Sequence, residues 1–264
     1  MSKERQELSS IENELLFKQW RLKNKVELFL LDGDGTIWDT GEVFQQQLSK
    51  CYGFLAENAG FLTRHQWENI ITEQDNLAFE KFAVDFKRWS YVFDKVAQKT
   101  GLSRKISVEA ETLVMQIYQT PLKFLDRVED GLKFLKKTET PFGIVTHANR
   151  HWTWQKYQWS NLSRYLDWDM VYTVGEKTHK TSSSWFEAVK YFGSSPERCA
   201  VVGDSPRADI NPAYQIGVEH CFLIQSSGEI WSVHKQPVDP KTTVISSVGD
   251  LIWLGSNFTD QDEK

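Results

Sequence analysis

The sequence predicts an α/β protein, a parallel sheet covered by helices on both faces, with a second, all-helical block inserted after the first strand. Three observations carry this. Short apolar runs alternate with helical stretches after Pro121, residues 41–120 show helical spacing without a single proline, and several apolar runs end in polar residues of chemical interest. Alternation of this kind argues for parallel strands, which need a helical crossover between them.

Taken in order, residues 10–22 place Ile11, Leu15, Phe17 and Leu22 at loosely helical spacing after a Ser-Ser start, predicting a short helix that leads into the domain. "VELFLL" (26–31) is a strongly apolar run bounded by charge and then by Asp-Gly, which suits a strand buried on both faces. The block from Gly41 onward predicts helices over 41–58, 64–73, about 75–99 and 106–119, punctuated by "TGLS" and "TPL". Beyond it, a helix over 128–138 precedes the strand "FGIVTHAN". A further helix precedes "DMVYTV", and one over 182–192 precedes "CAVVGDSP". "VEHCFLI", "TTVISS" and a closing helix complete a Rossmann-like core formed by residues 1–40 and 121–264.

Composition excludes several function classes. A net charge of −5, with 31 basic residues scattered among 36 acidic ones, leaves no basic stripe for nucleic acid. The N-terminus is charged without a signal-like apolar run, and no segment approaches the roughly 20 apolar residues of a membrane span. A cytoplasmic protein with no membrane partner is the expectation. Cys51, Cys199 and Cys221 sit far apart, with no metal-ligand spacing, and read as small buried hydrophobes in a reducing compartment. The 11 tryptophans read first as core residues, and Trp38 has packing and substrate contact equally open to it.

In an open parallel sheet, ligands bind outside the carboxyl ends of the strands. Four polar groups fall there: Asp32-Gly33-Asp34-Gly35-Thr36 after the first strand, Thr146-His147 at the end of the second, Lys180 on the approach to a later strand, and Asp204-Ser205 with Asp209 after it. Singly, each has an ordinary structural use as a turn, a cap or a solvated charge. Jointly, three carboxylates on one rim would repel unless a cation compensated them, and hard oxygen ligands suit Mg²⁺. A metal held by Asp32 and Asp204 would keep Asp32 ionised and nucleophilic, while Asp34 could carry a proton to a leaving group and later take one from water. Lys180 and the Thr146 hydroxyl could hold the oxygens of a phosphate.

These segments resemble the haloacid dehalogenase (HAD)-like hydrolase superfamily, and its phosphatase branch with a helical cap, phosphoglycolate phosphatase-like, most of all. "DGDGT" (32–36) is similar to the first family motif, Asp-x-Asp-x-Thr, and "FGIVTHAN" to the second, an apolar strand ending in Thr or Ser. "KTSSSWFEAVKYFG" resembles the third, with Phe186 where relatives commonly have Phe, and "CAVVGDSPRADINPAYQIG" matches the fourth, Gly-Asp-x-x-x-x-Asp, with Ala213 and Gly217 after it. The four occur in family order over residues 26–224, and residues 41–120 correspond to the helical cap.

The resemblance implies that Asp32 attacks phosphorus to form an aspartyl-phosphate and that Asp34 is general acid, then general base. Asp34 would also give its main-chain carbonyl to Mg²⁺. Asp204 would bind Mg²⁺, Asp209 and Ser205 would support the site, and Thr146 and Lys180 would hold the phosphate of the substrate, a small phosphate ester, with His147 beside them as a candidate substrate contact. Two departures stand out: Lys180 lacks the prolines that follow it in many relatives, with Lys177 as a nearby competitor, and position 147 is His where relatives commonly have a small residue or Asn. His147 could donate a hydrogen bond to substrate or satisfy its own loop. A phosphoglucomutase-like phosphotransferase and a non-catalytic binding protein on the same fold remain as alternatives. Dehalogenases of this superfamily lack the second Asp of the first motif. Substrate identity, the cap residues that set specificity and the oligomeric state are open at this level.

Overall fold

A computed structural model describes residues 3–175, 178–225 and 237–256, with side chains from residue 11 onward. Six strands form one all-parallel sheet: β1 (Leu28–Leu31), β2 (Phe142–His147), β3 (Val171–Val174), β4 (Cys199–Gly203), β5 (His220–Ile224) and β6 (Thr243–Ile245), in the order β3-β2-β1-β4-β5-β6. The order reverses beside β1, so its carboxyl end lies at the topological switch point, where such sheets form their ligand crevice.

The alternation of β1 decides how the sheet is covered. Phe29 and Leu31 face a large aromatic core, whereas Leu28 and Leu30 face a second one under α8 (Ser182–Tyr191) and α9 (Asn211–Gln215). All four are buried, as a double-faced parallel strand requires. α1 (Lys3–Lys23) and α6 (Val128–Lys137) lie on the aromatic side, with the Phe17 ring 5.9 Å from Phe29 and 4.9 Å from Phe134.

The helical insert consists of α2 (Thr40–Ala59), α3 (Arg64–Phe82), α4 (Lys87–Thr100) and α5 (Arg104–Met115), followed by one 3₁₀ turn over Gln116–Gln119; α2 packs on α5 and α3 on α4. Asp39, Thr63 and Ser103 satisfy amides at the starts of α2, α3 and α5 through their side chains. Its entry and exit segments run side by side. The Asp39 amide donates to the Lys123 carbonyl and the Leu125 amide to the Ile37 carbonyl, each at 3.0 Å.

Three sequence expectations need correction. The expected helices over 64–73 and 75–99 are instead α3 and α4, broken at Ala83, whose φ is +49°. Gln74 faces the helical core and gives the chain no reason to break there, while Asp85 offers its side chain to the Lys87 amide and starts a new helix. Phe79 and Phe82 therefore lie on α3, and Arg88 and Trp89 on α4. In α1 the buried face is Asn13, Phe17 and Trp20, whereas Ile11, Leu15 and Leu22 are exposed. The expected 106–119 and closing helices end or consist of 3₁₀ turns, Gln116–Gln119 and Val248–Trp253. The three cysteines are free and buried, as expected. No described helix is long and apolar enough to cross a membrane.

Candidate active site

Asp32 follows β1 directly, and its amide donates to the Val202 carbonyl of β4 at 2.8 Å, which fixes it at the switch point. Its carboxylate accepts from Lys180 Nζ at 2.6 Å, and the same nitrogen lies 2.7 Å from Asp209 Oδ1 and donates to the Val145 carbonyl at 2.8 Å. The ammonium thus donates to Asp32 and to the Val145 carbonyl and forms an ion pair with Asp209. Lys180 has its nitrogen 4.5 Å from the centre of the Trp185 ring, and Trp185 donates to the Ala208 carbonyl at 2.8 Å. The aromatic that faces the core is Trp185, while Phe186, the residue in step with family spacing, is 46% exposed. Lys180 nonetheless occupies the site; Lys177 lies outside the described residues.

Oxygen atoms of Asp32, Asp204 and Asp209 lie within 4.8 Å of one another. Burial, then the Asp209 carboxylate, pushes Asp32 up to about 7 against the pull of Lys180. Asp204 is raised well above the carboxylate range by burial and by Asp32. Burial alone would lower Lys180, but Asp209 and Asp32 outweigh it and its pKa is raised. Carboxylates so destabilised when ionised, offering oxygen ligands beside the Lys180 ammonium, fit a hard divalent cation. Asp209 is the least available of the three, since its second oxygen accepts the Ser205 amide at 3.0 Å. The Ser205 hydroxyl accepts the Ala208 amide at 3.1 Å and shapes this loop.

Two glycines make the approach possible. A Cβ on Gly33 would lie 2.7 Å from Thr146 Oγ1 and 2.8 Å from the Trp38 ring. Gly35, at φ +81°, leaves the space that Asp204 Oδ2 occupies. Thr146 is fully buried, and neither its hydroxyl nor that of Thr36 has a hydrogen-bond partner. His147 Nε2 is likewise buried and unpartnered.

Asp34 stands apart from Asp32 because another cation holds it. Lys156, on α7 (Arg150–Trp159), is wholly buried and donates at 2.7 Å to both Asp34 oxygens, while the Thr40 hydroxyl donates to Oδ1. The ammonium sits 4.0 Å and 4.7 Å from the centres of the Trp152 and Trp38 rings. Burial lowers the Lys156 pKa against the opposing pull of Asp34. Trp38 is fully buried, donating to Ser160 at 3.0 Å, which resolves its role in favour of packing. Sequence reasoning missed Lys156. Its signal was periodicity: Trp152, Thr153, Lys156 and Tyr157 share the buried face of α7.

The insert reaches this rim through α3. Glu80 pairs with Arg207 at 3.0 Å, its carbonyl lies 3.4 Å from His179 Nε2, and Phe79 meets the His179 ring at 5.3 Å.

Residues 29–223 match the model of the haloacid dehalogenase-like hydrolases. The chain belongs to that family. Solved structures with the same fold include a haloacid dehalogenase-like hydrolase from Xanthomonas campestris (15% identity, TM-score 0.70, covering 89% of this chain and 93% of that one). A HAD phosphatase from Thermococcus onnurineus (19%, TM-score 0.58, 86% and 96%) and an L-2-haloacid dehalogenase from Xanthobacter autotrophicus (13%, TM-score 0.59, 88% and 99%) are similar too. No curated protein matches it. The HAD-like fold is common to neighbours of both chemistries, so the site residues must choose between them.

Proposed function

We propose that this HAD-like hydrolase is a Mg²⁺-dependent phosphatase of a small phosphorylated metabolite, with residues 41–120 as its cap and Asp32 as its nucleophile. The observation that carries the reading is the pair of neighbouring aspartates in opposite environments. Asp32 is buried against Lys180 in the carboxylate cluster, whereas Asp34 is half-buried against Lys156 and Thr40. Neighbouring carboxylates kept in different environments are the usual mark of two different roles.

In this reading Lys180 aligns Asp32, which attacks phosphorus as the ester oxygen departs, leaving an aspartyl-phosphate. Asp34 gives that oxygen a proton and then takes one from the water that attacks the phosphoryl group and frees Asp32. The Thr146 hydroxyl and Lys180 hold phosphate oxygens, which would supply the partner Thr146 lacks. Asp32, Asp204 and the Asp34 main-chain carbonyl would hold Mg²⁺, which supplies charge neutralisation at the phosphate. Asp209 and Ser205 support Lys180 and the loop after β4. The cap excludes bulk water and large substrates, and its side-by-side entry and exit segments make residues 37–39 and 123–125 the hinge.

A dehalogenase is less well served by these residues, since a departing halide needs no proton and the Asp34–Lys156 pair would have no task in that step. A phosphotransferase would use the same groups, and turnover without a sugar-phosphate acceptor argues against it. The test is release of p-nitrophenol from p-nitrophenyl phosphate. Turnover that requires Mg²⁺ and stops with EDTA is expected; a folded, Mg²⁺-supplemented protein that hydrolyses no phosphate ester but acts on a 2-haloacid would reverse the reading.

A further inference from the structure

The helical insert meets the core in contacts of different character. At the backbone crossing of residues 37–39 and 123–125 the chains are bonded main chain to main chain, with a bridge between Trp38 and Phe124. At the last turn of α3 the contact is made by side chains. There Glu80 and Arg207 meet as a two-pronged pair, Nη1 donating to Oε1 at 3.0 Å and Nη2 to Oε2 at 3.3 Å. The Glu80 carbonyl, one of the last four that a helix leaves for outside donors, lies 3.4 Å from His179 Nε2. The Phe79 ring stands edge-on to His179 at 5.3 Å.

Both core partners adjoin the site. His179 precedes Lys180, which holds Asp32. Arg207 lies in the turn Pro206–Ile210, between Asp204 and Asp209, and that turn is pinned from within. The Ser205 hydroxyl accepts the Ala208 amide, Asp209 Oδ2 accepts the Ser205 amide, and the Ala208 carbonyl accepts from Trp185. Arg207 is thus a fixed post to which the insert attaches. The attachment is reversible in kind. The Glu80 and Arg207 side chains are 57% and 35% exposed, and a contact carried by an exposed ion pair and a ring edge opens more readily than an apolar interface.

We infer that Glu80 is a positioning residue: its pair with Arg207 latches the α3 end of the cap onto the loop that bears Asp204 and Asp209, and so holds the site closed over its substrate. The inference rests on the phosphatase reading, in which residues 41–120 are a cap hinged at 37–39 and 123–125, and it names what opposes that hinge. Glu80 acts from the cap and not on phosphate or metal, so its effect passes through the population of the closed form. Salt weakens the latch, because the pair is exposed.

The test reverses the pair one side at a time and then on both: Glu80→Arg, Arg207→Glu and the double exchange, each assayed on p-nitrophenyl phosphate with Mg²⁺. Each single reversal should lower kcat/KM about 3- to 10-fold, and the exchange should return it to within about 2-fold of wild type. Raising KCl to about 0.5 M should shrink the gap between wild type and Glu80→Arg. Closure is read directly from spin labels on Leu77→Cys in α3 and Lys190→Cys in α8, both exposed positions, while Cys51, Cys199 and Cys221 are buried. The single reversals should add a longer-distance population that the exchange removes. Unchanged distances in the single reversals, or an exchange as impaired as the two singles combined, overturn the latch while the phosphatase reading stands. A wild type that hydrolyses no phosphate ester overturns the phosphatase reading, and the distances alone then decide the latch.

Discussion

Replacing Lys156 with Met removes the charge that holds Asp34 while keeping the unbranched bulk that packs between Trp38 and Trp152. At 2.7 Å from both oxygens, the pair attraction is on the order of 6 kcal/mol at an effective dielectric constant of about 20. Most of that is offset by the desolvation of a side chain with no exposure, so the net loss is much smaller. Asp34 is 25% exposed and keeps Thr40, so water can reach it when Lys156 is gone. We therefore expect a loss of about 1–2 kcal/mol in stability, below the roughly 3–5 kcal/mol of a fully buried broken pair. The catalytic effect should be larger relative to its cause. Asp34 would lose its bidentate anchor, and kcat should fall about 10- to 100-fold with KM little changed. That is less than the roughly 10²- to 10⁴-fold for Asp34→Asn, where the proton-transfer group itself is lost. Thermal melts and steady-state kinetics on p-nitrophenyl phosphate measure both quantities. A stable Lys156→Met protein with wild-type kcat would refute the argument, since Asp34 would then need no anchor.

Two further outcomes follow from the same geometry. Asp32, with its pKa raised to about 7, binds a proton in the metal-free fold that the unfolded chain releases near pH 4. Its contribution is full below that pH and is lost as the pH rises to about 7, at up to about 1.4 kcal/mol per pH unit; Tm of the EDTA-treated protein should fall across this window, and Mg²⁺ should raise Tm most at the upper end. Gly33→Ala should abolish turnover and cost about 1–3 kcal/mol, because both atoms in its way, Thr146 Oγ1 and the Trp38 ring, are buried; an active Gly33→Ala enzyme would show that the loop has slack.

The strand ends were legible because they combine two signals, an apolar run and an abrupt polar stop, and the sheet then brings Asp32, Thr146, Lys180, Asp204 and Asp209 to one rim. Lys156 was not legible, because a helical lysine usually marks a solvated face and only its partner, 122 residues away, makes it a buried one. The break at Ala83 carries no glycine or proline, and the tertiary fit of α3 against α4 decides it. In α1, three of the four apolar residues used to predict the helix face solvent, while Trp20 faces the core, since that helix meets the sheet through aromatic contacts.

The central claim is that Asp32 carries the phosphoryl group. Acid-quenching wild type during Mg²⁺-supported turnover and mapping its peptides should place one phosphoryl group on Asp32, and Asp32→Asn should be folded, unlabelled and inactive. Undiminished turnover by Asp32→Asn would contradict the account.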